Sequence, residues 1–328
     1  MYVANYIYKK KTARTIDVIG QGIFITGCDS GFGFGLAKRL DSMGFTVFAG
    51  CLQENSDGAT TLKSSTTGRL HVIKLDITKD KSVEEAVKFV KKTDLKTHCG
   101  LWAVVNNAGI QVVGEVEFCT MDIYHKVAEV NMFGMVRMTK AFLPLIRRKK
   151  GRIINVTSVK GRLSVPFNAA YNITKYGGET FSDILRLEMR KFGVKVIIVE
   201  PSHFAGITGI LNPENLSRLQ REIESMWNDA DEEVRNTYGR EYYDVLSKGL
   251  EECKPEGCPT VDPVTEAFVD AITAFNPQYR YLVKGGSGLF DVYYVLALLS
   301  SYLPTSVMDY LSERSFLGGM PKIKALQK

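Results

Sequence analysis

The residues best suited to chemistry lie in one span, 158–175, which reads S-V-K-G-R-L-S-V-P-F-N-A-A-Y-N-I-T-K. Ser158 follows the apolar run Ile153-Ile154-Asn155-Val156-Thr157, which places it just past a buried strand. Tyr171 and Lys175 are four residues apart, so on a helix they share one face, a turn from each other. A phenol titrates near about 10 and is a poor base at neutral pH; an ammonium one turn away favours the phenolate and is expected to lower that value. A tenfold gain in acidity needs about 1.4 kcal/mol, within reach of one desolvated charge. A serine hydroxyl on the facing loop can hold the oxygen that gains or loses the proton. Together these groups can move a proton to or from an alcohol or a carbonyl. A Tyr-x-x-x-Lys pair alone is common on helices, so the surrounding elements must carry the assignment.

Those elements alternate. Residues 22–26 predict a short buried strand, followed by the glycine turn Gly27-Cys28-Asp29-Ser30-Gly31-Phe32-Gly33 and a helical pattern through Leu36, Leu40 and Met43. A glycine-rich turn between strand and helix lets backbone amides approach a pyrophosphate, although glycines also end ordinary strands. The spacing is G-x-x-x-G-x-G rather than G-x-G-x-x-G. A second strand at 46–51 ends on Gly50, Cys51 and Leu52, where an acid for the ribose hydroxyls of NAD is expected; the first acid is Glu54. No Arg or Lys stands close by for the 2′-phosphate of NADP, and Ser30 is small and neutral. NAD is favoured, with NADP the alternative.

A third strand at 70–75 ends at Asp76, whose carboxylate could bond the adenine amino group or serve a plain turn. A helix at 82–92 and a strand at 101–105 lead to Asn106-Asn107-Ala108-Gly109, suited to a tight turn with side chains bonding the backbone. A long helical pattern at 121–150 is interrupted near Asn131 and Gly134; a buried asparagine there must find partners. A strand at 151–157, a helix at 168–192 carrying Tyr171 and Lys175, and a strand at 195–200 closed by Pro201 complete the series. This is an α/β chain with one doubly wound parallel sheet, helices on both faces and a helical insertion over the substrate end. The glycine turn, Asn106, Ser158 and Pro201 all follow strands and so gather on the ligand-binding edge.

Composition excludes several classes. The net charge is +6 without a long basic block, which gives no reason to expect nucleic-acid binding. The run Arg147-Arg148-Lys149-Lys150 suits the last turn of a helix. The six cysteines, Cys28, Cys51, Cys99, Cys119, Cys253 and Cys258, form no C-x-x-C, and the four histidines are scattered; reduced thiols and no metal site are expected. Residues 1–19 read as a basic tail, either a targeting remnant or plain disorder. The dehydrogenase domain is expected over 20–284, with a substrate lid at about 202–260, and an apolar segment and loose basic tail over 285–328.

The combined motifs resemble the short-chain dehydrogenase/reductase superfamily: Thr26-Gly27-x-x-x-Gly31-x-Gly33, Asn106-Asn107-Ala108-Gly109, Asn131, Ser158 and Tyr171-x-x-x-Lys175. The resemblance implies that Tyr171 is the general acid/base, that Lys175 lowers its pKa and holds the nicotinamide ribose, that Ser158 orients the substrate oxygen and that Asn131 anchors a proton-relay water. It also implies dinucleotide contacts from Gly27, Ser30, Gly31, Phe32, Gly33, Asp76, Ile77, Asn107, Ala108, Gly109 and Pro201. Hydride transfer itself is the cofactor's chemistry.

Further stretches, among them Gly27-Cys-Asp-Ser-Gly-Phe-Gly-Phe34 and Gly114-Glu-Val-Glu-Phe118, resemble a lipid-associated branch that interconverts (R)-3-hydroxybutyrate and acetoacetate with NAD in mitochondria. The same branch includes retinol and 17β-hydroxysteroid enzymes of endoplasmic-reticulum membranes, which the ending Ser301-Tyr-Leu-Pro-Thr-Ser-Val-Met-Asp309 resembles equally. A dinucleotide-binding protein without turnover is a third reading, opposed by the full set Asn131, Ser158, Tyr171 and Lys175. The family's Pro-Gly after the sixth strand is Pro201-Ser202 here, followed by His203, which either contacts a substrate oxygen or is an ordinary surface histidine. A small hydroxy acid requires a cation or amide for its carboxylate, whereas a retinoid or steroid requires a long apolar slot. The stretch 292–303 is too short for a confident span and reads as a buried helix or one lying in a membrane interface. A homo-oligomer is expected.

Overall fold

The structure is a computed structural model that describes residues 15–97, 100–204, 206–208, 213–252, 258–286, 291–316 and 322–326. In chain order the elements are β1 (Gln21–Thr26), α1 (Gly31–Met43), β2 (Thr46–Cys51), α2 (Asp57–Ser64), β3 (Leu70–Lys74), α3 (Asp80–Thr97) and β4 (Gly100–Asn106). Next come α4 (Met121–Ala128), a π turn (Glu129–Phe133), α5 (Gly134–Lys149), β5 (Arg152–Val156), α6 (Ala169–Met189) and β6 (Lys195–Pro201). The remainder is largely helical: α7 (Pro213–Asp229), α8 (Glu232–Tyr238), α9 (Arg240–Glu252), α10 (Asp262–Thr273), β7 (Arg280–Val283), α11 (Val292–Leu299) and α12 (Thr305–Phe316).

The strands form one parallel sheet in the order β3-β2-β1-β4-β5-β6-β7. Alternate residues supply its two faces. Ile23, Ile25, Val47, Val105, Ile154 and Ile197 pack with Leu36 and Leu40 of α1 and Phe268 and Ile272 of α10. Phe24, Phe48, Val104, Ile153 and Val196 face Val90 of α3, Met138 and Phe142 of α5, and Leu185 of α6. Burial on both sides is why the strands read as continuous apolar runs rather than alternating ones. The order reverses between β1 and β4, so the crevice beyond their C-terminal ends is the topological switch point.

Several expectations change at the edges. The third strand stops at Lys74, and the interruption near Asn131 is a π turn rather than a helix break. The four-residue strand β7 and the helices α2, α8, α10 and α12 carried too weak a pattern to be read in advance. The basic tail is not loose throughout its expected range: the Ile16 N–H donates to Thr273 O at 2.8 Å, and Thr15 bridges Ala274, pinning the chain to the end of α10. Residues 1–14 lie outside the described residues, as do Cys99 and Cys253; Cys28, Cys51, Cys119 and Cys258 are free thiols. The tail after Gly318 also departs from expectation where it is described. Lys324–Leu326 makes a short 3-10 turn, with Lys324 lying against Gly239.

Candidate active site

The nucleotide half is built largely from backbone. Gly27 and Gly31 have φ of 71° and 59°, values that suit glycine. At Gly33 a Cβ would come within 2.2 Å of Gly27 O and 2.7 Å of Asn107 Nδ2, so α1 can approach the turn only without a side chain there. Ser30 is the N-cap of α1 but makes no side-chain capping bond, and the first turn contains no acid. The orphan amides and the positive end of α1 therefore suit an anion, and the turn fits the pyrophosphate of a dinucleotide. Phe32 meets Phe204 edge-on, at 5.4 Å between centroids.

The Asn107-Ala108-Gly109 turn locks against this loop. Asn107 Nδ2 donates to Thr26 O and Gly27 O at 2.9 and 3.1 Å, and the Asn107 and Ala108 amides both donate to Thr26 Oγ1 at 3.0 Å. Asn106, expected to follow the strand, is its last residue; its amide donates to Thr139 Oγ1 at 3.0 Å and Asn155 Oδ1 at 2.8 Å. Asp76 is engaged locally, its Oδ1 accepting from the Thr78 amide and hydroxyl at 2.9 and 2.7 Å. Ile77 is buried, and its carbonyl accepts from Arg137 at 2.8 Å.

Ser158, Tyr171 and Lys175 lie together beyond the ends of β5 and β6. The Tyr171 and Ser158 hydroxyls are hydrogen-bond partners, and the single Ser158 proton is within reach of Pro201 O, at 3.3 Å. The Lys175 ammonium lies 5.3 Å from the Tyr171 ring centroid and donates to Val156 O at 3.1 Å. A Cβ at Gly109 would lie 3.3 Å from Asn131 Oδ1 and 3.8 Å from Lys175 Nζ, which sets the cofactor-side turn directly over both. Asn131 sits on the π turn with every polar group of its amide engaged in protein contacts. It accepts from the Ile110 amide at 2.8 Å and donates to Ile110 O at 2.9 Å and Thr174 Oγ1 at 3.1 Å.

One electrostatic expectation is overturned. Burial pushes the Tyr171 hydroxyl up to about 12, with the Ser158 hydrogen bond opposing it, so the phenol is not depressed as the lysine spacing suggested. Lys175 is pushed down to about 8 by the same burial, with Glu179 opposing. At neutral pH the pair is therefore a protonated phenol beside an ammonium, equipped to donate a proton to a carbonyl oxygen.

On the other side of the site, the His203 ring stacks on Tyr293 of α11 at 5.9 Å. The Ser202 amide donates to Val283 O at 2.9 Å, while its buried hydroxyl faces the Asp291 carboxylate, which it helps to hold ionised. The next strand end is clasped by Asp291, whose carboxylate accepts from the Gly285, Gly286 and Tyr294 amides at 2.8, 3.2 and 3.1 Å. Two residues stood within the quoted motifs without being recognised, and a third lay just beyond them on the same helix. Asp29 in the glycine turn accepts from the Leu52 and Gln53 amides at 3.0 Å each, placing a carboxylate at the end of β2 where an acid was missed. Lys160, two residues after Ser158, points over Tyr171 with Nζ 5.6 Å from the ring centroid. Glu179 continues the Tyr171–Lys175 helix face by one more turn, a spacing visible in the sequence.

The family model for short chain dehydrogenases matches residues 21–217. Mitochondrial D-beta-hydroxybutyrate dehydrogenase of Bos taurus is 44% identical over 276 residues, spanning 83% of this chain and 80% of that one. The 17-beta-hydroxysteroid dehydrogenase type 6 of Bos taurus is 40% identical over 299 residues, spanning 90% and 88%. A solved short chain dehydrogenase/reductase of Burkholderia phymatum in complex with NAD superposes with a TM-score of 0.66 at 21% identity, covering 81% of this chain and 90% of that one. The chain belongs to the short-chain dehydrogenase/reductase family, and is an oxidoreductase acting on CH–OH groups with a nicotinamide dinucleotide.

Proposed function

We propose that this enzyme interconverts (R)-3-hydroxybutyrate and acetoacetate with NAD. The observation that carries the chemistry is the junction of Ser158, Tyr171 and Lys175 beyond the ends of β5 and β6. In this reading Ser158 holds the substrate oxygen, Tyr171 gives or takes its proton, and Lys175 supports the phenolate when it forms. Asn131 ties the π turn to Ile110 and Thr174 beside them, and the second lone pair of its Oδ1 is left for a proton-relay water. The nucleotide, supplying the hydride acceptor when bound, is held by the amides at Gly31, Phe32 and Gly33, with Ser30 at the helix cap. The remaining contacts come from Asp76 and Ile77, the Asn107-Ala108-Gly109 turn and Pro201, and Lys175 holds the nicotinamide ribose.

NAD over NADP is supported by Asp29, which holds the backbone at Leu52 and Gln53 and sets a negative charge where a 2′-phosphate would crowd it. Replacing it, Asp29→Ser, is expected to raise the NADP-to-NAD ratio of kcat/KM about tenfold; an unchanged ratio removes Asp29 from that role. The hydroxy acid is supported by the similarity to D-beta-hydroxybutyrate dehydrogenase, and a mitochondrial location by the same relative's name. The direct test is NADH formation from (R)-3-hydroxybutyrate, compared with retinol and an androgen diol. Turnover of the lipophilic alcohols alone would sink the hydroxybutyrate reading.

Two contact surfaces complete the proposal. Val292, Leu298 and Leu299 of α11, with Tyr302 and Tyr310 beyond it, are exposed and suited to a lipid interface. No helix among the described residues is long and apolar enough to cross a membrane. Ile173, Tyr176, Ile184 and Leu187 form an exposed apolar side of α6 suited to a second copy of the chain. Vesicle co-sedimentation and sedimentation velocity test the two separately.

A further inference from the structure

Two ammonium groups flank the ring of Tyr171, and only one of them belongs to the proton-transfer pair. Lys175 is tied to Val156 O and lies beside Gly109, on the nucleotide side. Lys160 lies 5.6 Å from the ring centroid and donates to Asn168 Oδ1 at 2.9 Å. The same Asn168 oxygen accepts from Gln111 Nε2 at 3.0 Å, and Gln111 O accepts from Arg218 of α7 at 3.1 Å. The second cation therefore lies on the side of the helices inserted after β6.

The local backbone supports this arrangement. Phe167, just before Asn168, is a bulky residue at φ 62°, a conformation that costs energy and persists only where its surroundings hold it. Its carbonyl accepts from the Gly114 amide at 2.8 Å, and Asn168 Nδ2 donates back to Pro166 O at 2.8 Å. Asn168 is buried, so its oxygen is held toward Lys160 and Gln111 by the surrounding chain. Two donors, one cationic, thus converge on a neutral amide oxygen, with the cation lying over the Tyr171 ring. A carboxylate oxygen is a stronger acceptor for both donors, because hydrogen bonds between charged groups are shorter and stronger than neutral ones. A 3-hydroxy acid carries its carboxylate one methylene from the carbinol carbon, so an oxygen held by Tyr171 and Ser158 leaves the carboxylate close by.

We infer that Lys160, assisted by the Gln111 amide, is the carboxylate anchor of the substrate subsite and selects short hydroxy and keto acids over neutral alcohols. This assignment rests on the hydroxy-acid reading above and deepens it. Lys160 acts on binding and specificity; the proton transfer remains with Tyr171.

The test compares (R)-3-hydroxybutyrate with its uncharged methyl ester in the wild type and in Lys160→Met, Lys160→Gln and Lys160→Arg. For the acid, kcat/KM is expected to fall about 10- to 100-fold in Lys160→Met, chiefly through KM, as expected when a hydrogen bond to a charged group is lost. For the ester it should fall by no more than about 3-fold, and Lys160→Arg should recover most of the acid's rate. Butanoate, which cannot react, should inhibit the wild type competitively and lose about tenfold in affinity with Lys160→Met. Equal losses for acid and ester overturn the anchor and assign Lys160 to holding Asn168 in place; so does an unchanged KM for the acid. If the wild type turns over neutral lipophilic alcohols but not the acid, the substrate reading fails and the anchor with it. A wild type active on the acid whose variants show no acid-against-ester split defeats the anchor alone.

Discussion

The two halves of the active site are built differently. The nucleotide half consists of strand ends and tight turns, its contacts mostly backbone to backbone or amide to backbone, on a sheet whose core residues are almost wholly buried. The half proposed to receive the substrate lies against α7, α8 and α9 and is held by an aromatic cluster, with Phe118 and Trp227 4.6 and 5.0 Å from Tyr243. Around it run exposed ion pairs such as Arg240 with Glu224 and Asp244, each at 2.7 Å. Exposed pairs contribute little, so that half depends on apolar packing, which tolerates change of side chain better than a turn whose atoms already touch. On the proposed assignment, the chemistry sits where substitution is hardest and specificity where it is easiest.

The largest expected effect lies at the junction of the halves. Tyr171→Phe should lower kcat about 10³-fold or more while leaving dinucleotide affinity within about threefold, read by steady-state rates and by fluorescence titration. Full activity in that variant would remove the tyrosine from proton transfer. Gly33→Ala and Gly114→Ala then set one half against the other. A Cβ at Gly33 meets backbone at 2.2 Å and should cost at least about 3 kcal/mol of stability together with dinucleotide affinity. A Cβ at Gly114 meets only the side chains of Cys119 and Met226 at 2.9 Å, which can move; about 1 kcal/mol is expected. Similar losses from both, by chemical denaturation, would erase the contrast drawn between the halves.

Behind the site, Arg280 gathers Glu179, Asp183 and Glu200 at the end of β6, with Arg162 also on Glu200 at 2.5 Å. Arg280→Met should cost about 3 kcal/mol, because it strands buried carboxylates. Burial holds the Glu200 carboxyl above its ordinary value, with Glu179 adding to that and the two arginines opposing. A raised acid binds its proton more readily in the folded protein than in the unfolded chain. Its contribution to stability is therefore present in acid and is lost as pH rises through the raised value. The variant should thus be less destabilised near about pH 5 than near about pH 8, with thermal unfolding across pH as the measurement.

The smallest effect is a bend in a pH profile. Tyr171, raised to about 12, stays protonated at neutral pH, so ketone reduction should be flat there while alcohol oxidation climbs with pH. Above about 8 the Lys175 ammonium begins to lose its charge, and the climb should flatten. Lys175 also titrates below its ordinary value. Over the window above about 8, up to the ordinary lysine range, the unfolded chain holds more protons, so this group makes stability rise with pH. An oxidation rate that climbs without a bend would separate Lys175 from the phenolate.

Much of the fold was legible because both faces of the sheet are covered. Apolar runs separated by helical patterns can only be parallel strands and crossovers, and ligand-binding turns then fall on one edge. The spacing of Tyr171 and Lys175 and the glycines around Gly33 are local facts, enforced by the helical repeat and by the absence of room for a side chain. Lys160, Asp29 and Arg280 were equally present in the chain, yet their roles depend on what faces them. Asp29 matters because β2 ends beside the glycine turn, and Lys160 because the strained backbone at Phe167 brings Asn168 around to meet it. The phenol's titration was misjudged for the same reason: spacing announces the neighbouring charge, but only the packed interior determines how much burial opposes it. Periodicity and steric exclusion act within a few residues and are written in the sequence, whereas desolvation and convergence of distant side chains exist only once the tertiary structure has formed.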